Sequence, residues 1–308
     1  MANATVAVGT YAGEAARPYV AAAILSADTL ANGYISVLEN VHSKAVLRKF
    51  SGAAIQANDD CAFTTPSAGQ LTLGEAVLEA SALKVNEQVC NADLRATWES
   101  AQMRGQSSAA PADFTSFVAQ YVAAKVAEGI ERNIWHGNYN HTDGGTDGSY
   151  TSFDGICAKL VAGTPGEEDT FSGVTTAANI LTRIGNLEVP AVIAGDPNTK
   201  LFMSRAMKQL YYNALADTYN LPFHAEGAAS NYNGYEIITP GGMPNDTFIF
   251  AKGENLYFGT NLLTDHIQAS VLDLTGVTGD DVTRVIMQFS GGTQVVDLDS
   301  VAIGRRSA

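Results

Sequence analysis

The feature that most constrains the fold is one long amphipathic helix, which the sequence predicts between Asp113 and Gly137. Asp113 is a favourable N-cap, and Gly137 is a favourable stop at the C-terminal end. Between them, apolar residues recur at spacings of three and four: Phe114, Phe117, Val118, Tyr121, Val122, Val126, Ile130 and Ile134. This spacing places them on one face of a rod roughly 35 Å long. A single helix of that length can act as a spine across a subunit.

The chain before this helix is weakly patterned. Residues 1–49 are rich in alanine, and we expect a short helix after Pro18 and a strand from Tyr34 to Val41, which together predict an arm. From residue 50 to residue 96, turn-forming residues alternate with extended stretches. This second segment has too few large apolar residues to form its own core. It is therefore expected to lie against its own body or against a neighbouring copy.

The chain after the long helix begins with a surface loop and then helices. Asn138–Asp154 is rich in Asn, Gly, Asp and Ser, which is typical of a solvent-exposed loop. We expect a short helix at Ala177–Leu187 and an apolar strand at Val189–Ala194. A second amphipathic helix is predicted to start at Asp196-Pro197, with a buried stripe formed by Phe202, Met203, Ala206, Met207, Leu210, Ala214 and Leu215.

The last third of the chain predicts strands separated by turn residues. These strands are expected at Tyr235–Thr239, Thr247–Ala251, Leu256–Thr260 and Ile267–Leu272. A final hairpin is predicted, with Val282–Phe289 as its first strand, a turn at Ser290-Gly291-Gly292, and a return strand over Gln294–Ile303. Helices and strands in this order indicate the α+β class, with the last strands closing back on an earlier domain.

Charge and hydropathy exclude several classes of protein. The chain has 18 Lys and Arg against 32 Asp and Glu, a net charge of -14, which repels phosphate backbones and argues against sequence-specific nucleic-acid binding. A protein that only encloses DNA does not need a basic surface, so the charge is compatible with a container. The longest apolar run, Val20–Leu25, is far shorter than the roughly 20 residues of a membrane span, and no secretory signal is readable.

Residues that carry chemistry are sparse. Cys61, Cys90 and Cys157 are odd in number and form no CxxC pair, so we expect buried free thiols in preference to an interchain bond. Nucleophile-elbow, zinc-protease, phosphate-loop and dinucleotide-binding motifs are all missing from the sequence. An enzyme would therefore need a catalytic group assembled only in the folded chain. The sequence predicts a protein that is not an enzyme.

One loop offers a possible cation site. His136 and His141 lie close in sequence, with Asn138, Asp143 and Asp147 nearby, and such side chains can ligate metals. The run from Asp143 onward lacks the ligand spacing of a calcium loop, which favours an ordinary solvated loop. We therefore predict no metal-binding, cofactor-binding or catalytic residues.

Several short motifs in a fixed order carry a family resemblance. The long helix ends with Ile130–Asn138, which reads IERNIWHGN, and the chain re-enters the body at Phe153–Ile156. Toward the C terminus follow Gly234–Ile237, Gly241–Pro244, Asn255–Leu262 and Val285–Gln294. The order is arm, extended loop, long helix, glycine-rich loop, α/β domain and return strands. In this order the chain resembles the Hong Kong 97-like major capsid proteins of tailed double-stranded DNA bacteriophages, over nearly its whole length.

The resemblance implies a division of the chain into named parts. It implies an N-terminal arm, an extended E-loop, a peripheral domain that contains the spine helix and receives the return strands, and an axial domain. In this numbering these are the arm at 1–49, the E-loop at 50–96, the peripheral domain at 97–175 with the spine helix at 113–137, the axial domain at 176–276 and the return strands at 277–308.

The resemblance also implies a function. Hexamers and pentamers of the chain would form an icosahedral shell that encloses the phage genome, in the virion, after assembly in the host bacterial cytoplasm. The implied partners are other copies of the chain, a separate scaffolding protein, a portal and decoration proteins. The resemblance implies neither a membrane nor a cofactor. Many family members carry a scaffolding segment before the arm, and here we expect a separate protein to supply it, or none to be needed. The alternative is an encapsulin, which shares the fold but encloses cargo enzymes in a cell.

Overall fold

The computed structural model describes residues 8–12, 27–51, 72–90, 114–139, 151–219, 230–261, 268–274 and 279–307. The helix expected after Pro18 lies outside these ranges. Within them the helices are α1 (Asp28–Ala31), α2 (Phe114–His136), α3 (Ile156–Ala162), α4 (Ile180–Asn186) and α5 (Arg205–Tyr219). None of these helices is long and apolar enough to cross a membrane.

Most strands come in two runs, one before α2 and one after α5, as expected for an α+β chain. The strands are β1 (Val8–Ala12), β2 (Ser36–Leu38), β3 (Lys44–Ser51), β4 (Thr72–Glu79), β5 (Ser81–Cys90), β6 (Glu167–Phe171), β7 (Thr199–Met203), β8 (Asn231–Tyr232), β9 (Tyr235–Ile238), β10 (Thr247–Lys252), β11 (Leu256–Thr260), β12 (Gln268–Asp273), β13 (Val282–Val295) and β14 (Ala302–Arg306). The predicted strands at β2 and β9–β12 and the predicted helix at α4 are confirmed.

The strands form two larger sheets and one hairpin. The first sheet has the order β1-β12-β13-β11-β2, with β5 also paired to β13. The second has the order β6-β14-β10-β7-β9-β8, and β3 pairs only with β4. Strands from the two predicted domains therefore mix, because β6 and β14 share a sheet with β7 and β10. The division into peripheral and axial domains stays a prediction.

Two apolar cores lie on opposite faces of the second sheet. On β10, Ile249 belongs to the core that also contains α2 and the first sheet, whereas Phe248 and Phe250 belong to the core under α4 and α5. Side chains alternate across a strand, so the unbroken apolar run at 248–251 of β10 is covered on both faces. β10 therefore connects the two halves of the molecule.

The long helix predicted between Asp113 and Gly137 is confirmed as α2, which is 23 residues long. Its buried residues include Val122, Ile130, Ile134 and Trp135. The Trp135 ring lies 5.2 Å from the ring of Phe202 on β7, measured between centroids. The helix thus packs on the second sheet as well as on the first, as a spine would.

The strand predicted at Val189–Ala194 is wrong. The N–H groups of Ile193 and Ala194 both donate to the carbonyl of Pro190, at 2.9 and 3.0 Å, which closes a turn. Ile193 is still fully buried in the core under α4 and α5. The apolar character was read correctly, but the backbone satisfies its hydrogen bonds locally instead of in a sheet.

The start predicted for the next helix is also wrong, since α5 begins at Arg205. Phe202 and Met203, which were assigned to its buried stripe, lie on β7. The Ser204 hydroxyl accepts a hydrogen bond from the Met207 N–H at 3.2 Å, which makes Ser204 the N-cap in place of Asp196. Of the later members of the stripe, Met207 and Ala214 are buried and Leu210 and Leu215 are partly buried, whereas Ala206 is exposed and was assigned wrongly.

The turn predicted at Ser290-Gly291-Gly292 is wrong too. β13 runs without interruption from Val282 to Val295, and β14 then pairs with β10 and β6 in the other sheet. A Cβ atom on Gly292 would overlap the carbonyl oxygen of Glu79. This glycine permits two strands to cross closely and does not reverse the chain.

Candidate assembly surface

A two-stranded hairpin projects from the base of the segment predicted as the E-loop. β3 and β4 pair from Lys44↔Glu79 to Ser51↔Thr72, and the Ala80 N–H donates to the Ser43 carbonyl at 2.8 Å to close its base. Alternate side chains point to opposite faces of the hairpin. We call the outward set the hairpin face: Lys44, Val46, Arg48, Phe50, Leu73, Glu75, Val77 and Glu79, all of which are exposed.

The hairpin face carries two apolar cross-strand pairs that are exposed to solvent. Val46 stands opposite Val77, and Phe50 opposite Leu73. Their exposed fractions are 53% and 42% for the first pair and 75% and 49% for the second. Isolated apolar residues on a surface are ordinary, but here four stand on one face in two cross-strand pairs separated only by the Arg48–Glu75 pair, and grouped exposed apolar residues mark interaction sites.

Ion pairs alternate with these apolar pairs. Lys44 Nζ lies 2.5 Å from Glu79 Oε1, and Arg48 Nε lies 3.8 Å from Glu75 Oε1. The hydrogen bond from Lys44 lowers the pKa of Glu79. Two cations and two anions leave the hairpin face with no net charge, in a chain whose net charge is -14.

The opposite face of the hairpin is fixed to the body. Leu78 is fully buried beside Gly259 on β11. Lys49 Nζ lies 2.5 Å from Asp297 Oδ1 and 3.2 Å from Asp299 Oδ2, at a short 3₁₀ turn. The hydrogen bond to Asp297 is the main cause of a raised Lys49 pKa. These contacts hold the inner face of the hairpin against the body, so that the hairpin face points away from the subunit.

The rest of the segment belongs to the subunit itself. β5 pairs with β13 along ten positions, from Ser81↔Gly291 to Cys90↔Val282. Of the two alternatives expected for this segment, its own body or a neighbouring copy, β5 lies against its own body. Among the described residues of this segment, the exposed large apolar side chains are Phe50, Leu73 and Val77, all on the hairpin face. Residues 52–71 and 91–96 lie outside the described residues.

A cleft of about 840 Å³ lies between β5 and α2. Its lining is mostly apolar and includes Leu83, Val85, Val122, Val126 and Phe289. The lining contains neither histidine nor cysteine. Among these apolar groups the lining also contains Lys84, Glu87, Lys125 and Ser152.

Comparison with known proteins decides the fold. No family model and no curated protein matches the sequence. Solved structures do match. A chain of the satellite phage P4 procapsid that includes the size determination (Sid) protein aligns with a TM-score of 0.64 and 11% identity, covering 94% of this chain and 90% of that one. A chain of Mycobacterium phage Cain aligns with a TM-score of 0.58 and 13% identity over 92% and 91%.

A third match is the capsid of an empty GTA particle, with a TM-score of 0.54, 13% identity and coverage of 92% of this chain and 90% of that one. This chain has the Hong Kong 97-like capsid fold. The fold resemblance read from the order of the motifs is thereby confirmed. In this fold, β3 lies mostly in the segment predicted as the arm and β4 in the segment predicted as the E-loop, and α2 occupies the segment predicted as the spine helix.

Only some of the residues considered for a cation site lie within the described ranges. His141, Asp143 and Asp147 lie outside the described residues. Asn138 donates from Nδ2 to Asp154 Oδ1 at 2.8 Å, and the His136 ring packs edge-on against Tyr139. Within the described ranges, no group of three or more His, Cys, Asp or Glu is arranged to hold a metal.

The thiols differ in their surroundings. Cys157 on α3 is fully buried in the core beside α2, and burial strongly raises its pKa. Cys90 at the end of β5 is exposed, so the expectation of a buried thiol is wrong there. Both are free, and Cys61 lies outside the described residues.

Sequence reasoning missed the hairpin. It recognised extended stretches on either side of residue 80 but not the strand Lys44–Ser51, which it left in the arm. The available signal was the matching of charges across the two strands: Lys44 and Arg48 on one face of β3, and Glu79 and Glu75 on the same face of β4. Opposite charges directly across a strand pair favour that register.

Proposed function

We propose that this protein is a structural major capsid protein that self-assembles, as hexamers and pentamers, into an icosahedral shell around phage double-stranded DNA. The observation that carries the proposal is the hairpin face, an exposed apolar patch on a capsid fold. The virion shell is then its location, and its primary partner is another copy of itself. It acts by assembly and not by catalysis.

The energetics of the hairpin support this proposal. Two-stranded hairpins are marginal in water, and the exposed apolar pairs of this one gain nothing while solvent covers them. Covering them with a second copy stabilises the complex by about 25 cal/mol per Å² of apolar surface. The subunit is therefore more stable when the hairpin face is occupied than when it is free.

The charge distribution supports the same partner. Two copies that each carry -14 repel one another, and the repulsion is smallest where a surface has no net charge. The hairpin face meets this condition, because its ion pairs are internal to it. Contact through this face brings copies together with the least electrostatic cost.

The finer assignments of the family extend the proposal. These are the arm at 1–49, the E-loop at 50–96, the peripheral domain at 97–175 with return strands at 277–308, and the axial domain at 176–276. A separate scaffolding protein, a portal and decoration proteins are proposed partners. They are supported by the fold and by the matched structures, one of which includes a size determination (Sid) protein.

Negative-stain microscopy and sedimentation of the purified protein test the proposal. We expect closed shells for the wild type and only small oligomers for Phe50→Asp, with equal helicity by circular dichroism. Val192→Asp is the matched control, because Val192 is exposed to a similar extent, 68%, but lies away from the hairpin. A wild type that forms no shells, either alone or together with the proposed scaffolding protein, contradicts the capsid function. Equal assembly of the two variants contradicts the role of the hairpin face.

The contents of shells purified from their native source distinguish the two container functions. Double-stranded DNA is expected for a capsid, and a cargo enzyme is expected for an encapsulin. Shells that contain a cargo enzyme without DNA would identify an encapsulin in place of a capsid. The hairpin face would be the assembly surface in both cases.

A further inference from the structure

Glu131 is a buried carboxylate on α2 that no function described above uses. Only 5% of the residue is exposed. Its Oε2 accepts a hydrogen bond from the Thr29 N–H at 2.9 Å. Its Oε1 accepts one from the Thr29 hydroxyl at 2.5 Å and one from the Gly242 N–H at 3.3 Å. One side chain therefore ties together three separate parts of the chain.

The three parts are α2, the segment 27–34 that contains α1, and the turn at 240–243. Thr29 is fully buried, and its hydroxyl also accepts a hydrogen bond from Trp135 Nε1 at 2.7 Å. A Cβ atom on Gly242 would overlap the Glu131 carbonyl oxygen. Segment 27–34 is thus attached to the spine helix through Thr29, at a place too tightly packed for water to replace the protein donors.

The charges around this carboxylate do not neutralise it. From segment 27–34, Asp28 and Tyr34 face it. On α2, the neighbouring Arg132 pairs with Glu128 at 3.0 Å, and the turn 240–243 contains no titratable residue. In the described part of the chain, no cation lies within ion-pair distance of Glu131. Its negative charge is balanced only by hydrogen bonds.

We infer that Glu131 is a proton-operated latch, which holds segment 27–34 firmly to α2 when its carboxyl group is protonated and less firmly when it is ionised. The Thr29 oxygen has two lone pairs, so it can accept the carboxyl proton together with the Trp135 N–H. The neutral carboxyl group therefore stays bonded to Thr29 with the donor reversed, while its oxygens still accept from the Thr29 and Gly242 N–H groups. The ionised group must remain buried beside Asp28 without a cation, which is costly.

The direction of the pH effect follows from this environment. Burial raises the Glu131 pKa above its ordinary value of 4.5, hydrogen bonds from Thr29 and Gly242 oppose the rise, and Asp28 adds to it. A carboxyl group whose pKa is raised by folding binds its proton more tightly in the folded state. The contribution of the latch is complete below pH 4.5 and is lost as the pH rises through the folded pKa.

Hydrogen exchange of the full-length chain tests the latch. Protection of the 27–34 backbone, corrected for intrinsic exchange, should fall as the pH rises above 4.5, by about tenfold for each unit of pKa shift. In Glu131→Gln, which keeps an acceptor but cannot ionise, protection should not vary with pH. Glu128→Gln, a change on the exposed side of the same helix, should show the same pH dependence of protection as the wild type. Protection of β10 should be the same in every variant.

Two results would overturn the latch. One is a pH-independent protection of 27–34 in the wild type. The other, which does not depend on any variant folding, is a carbon-13 titration of the wild-type Glu131 carboxyl group that gives a pKa at or below the ordinary value. Neither result bears on shell formation, so the latch and the capsid function are tested separately.

Discussion

The buried side chain of Leu78 packs on the backbone of Gly259, at a position where a Cβ atom on residue 259 would overlap Leu78 Cδ2. Leu78 is on the inner face of the hairpin, and Gly259 is on β11 of the first sheet. The contact fixes the height and tilt of the hairpin above the sheet. The direction in which Phe50 and Leu73 point therefore depends on a glycine about two hundred residues later in the sequence.

Replacement of Gly259 by alanine should lift the hairpin from the sheet. The new methyl group overfills a packed site, a change that costs about 1–3 kcal/mol. Urea unfolding measures the loss of stability, and sedimentation measures the accompanying loss of shells. Gly129→Ala is the matched control, because Gly129 is inside α2 and a Cβ there meets nothing within 4 Å. It should stabilise the helix by up to about 1 kcal/mol. Equal stability of both variants would refute the packing argument.

Shell formation should strengthen with salt. Subunits of net charge -14 repel one another, and the distance over which they do so falls from about 10 Å at 0.1 M salt to about 3 Å at 1 M. The apolar pairs of the hairpin face are not weakened by this screening. Light scattering of purified subunits over this range of sodium chloride should show a rising fraction of shells. A falling fraction would mean that ion pairs between copies outweigh the net repulsion.

Local periodicity was enough to predict the spine helix and several strands. In α2 the spacing of Val122, Val126, Ile130 and Ile134 allows only a helix with one buried face, and the structure has that helix. The order of elements around it was sufficient to indicate the capsid fold. These features depend on the chain's own pattern, which a single sequence contains in full.

Contacts between distant segments could not be read in this way. Gly291 and Gly292 look like a turn in the sequence, but they lie within β13 because the strand passes closely under Glu79. Likewise, Phe202 fits the period of a helix until Ser204 is recognised as the cap of α5. The hairpin face and the Glu131 hydrogen bonds both join residues far apart in sequence. Single-sequence reasoning had no means of placing them together.

The thiols should differ strongly in reactivity. The thiolate is the reactive form, and burial of Cys157 raises its pKa and blocks access, whereas Cys90 is exposed. In a Cys61→Ser background, a thiol-specific colorimetric reagent should modify one thiol per native chain quickly and the second only after unfolding. Cys90→Ser should abolish the fast phase. Shells should persist under reducing agent, and a reagent-sensitive ladder in non-reducing electrophoresis would instead reveal an interchain bond.

The Lys49 anchor should stabilise the hairpin where a comparable surface pair does not. Lys49 and Asp297 are each about 30% exposed (30% and 29%), whereas Lys44 and Glu79 are 63% and 60% exposed, and both pairs are 2.5 Å apart. Exposed pairs contribute little because water screens them and ordering two side chains costs entropy. A double-mutant cycle of Lys49→Met with Asp297→Asn should give a coupling of about 1 kcal/mol.

The same cycle with Lys44→Met and Glu79→Gln should give no measurable coupling. Because the Lys49 pKa is raised in the folded state, the contribution of the anchor is complete at neutral pH and is lost as the pH rises through the folded pKa, which lies above the ordinary lysine value of 10.5. Urea midpoints of the four proteins at pH 7 measure the coupling, and limited proteolysis of β3 and β4 reports whether the hairpin has detached. Equal coupling in the two cycles would show that partial burial of Lys49 does not strengthen its ion pair.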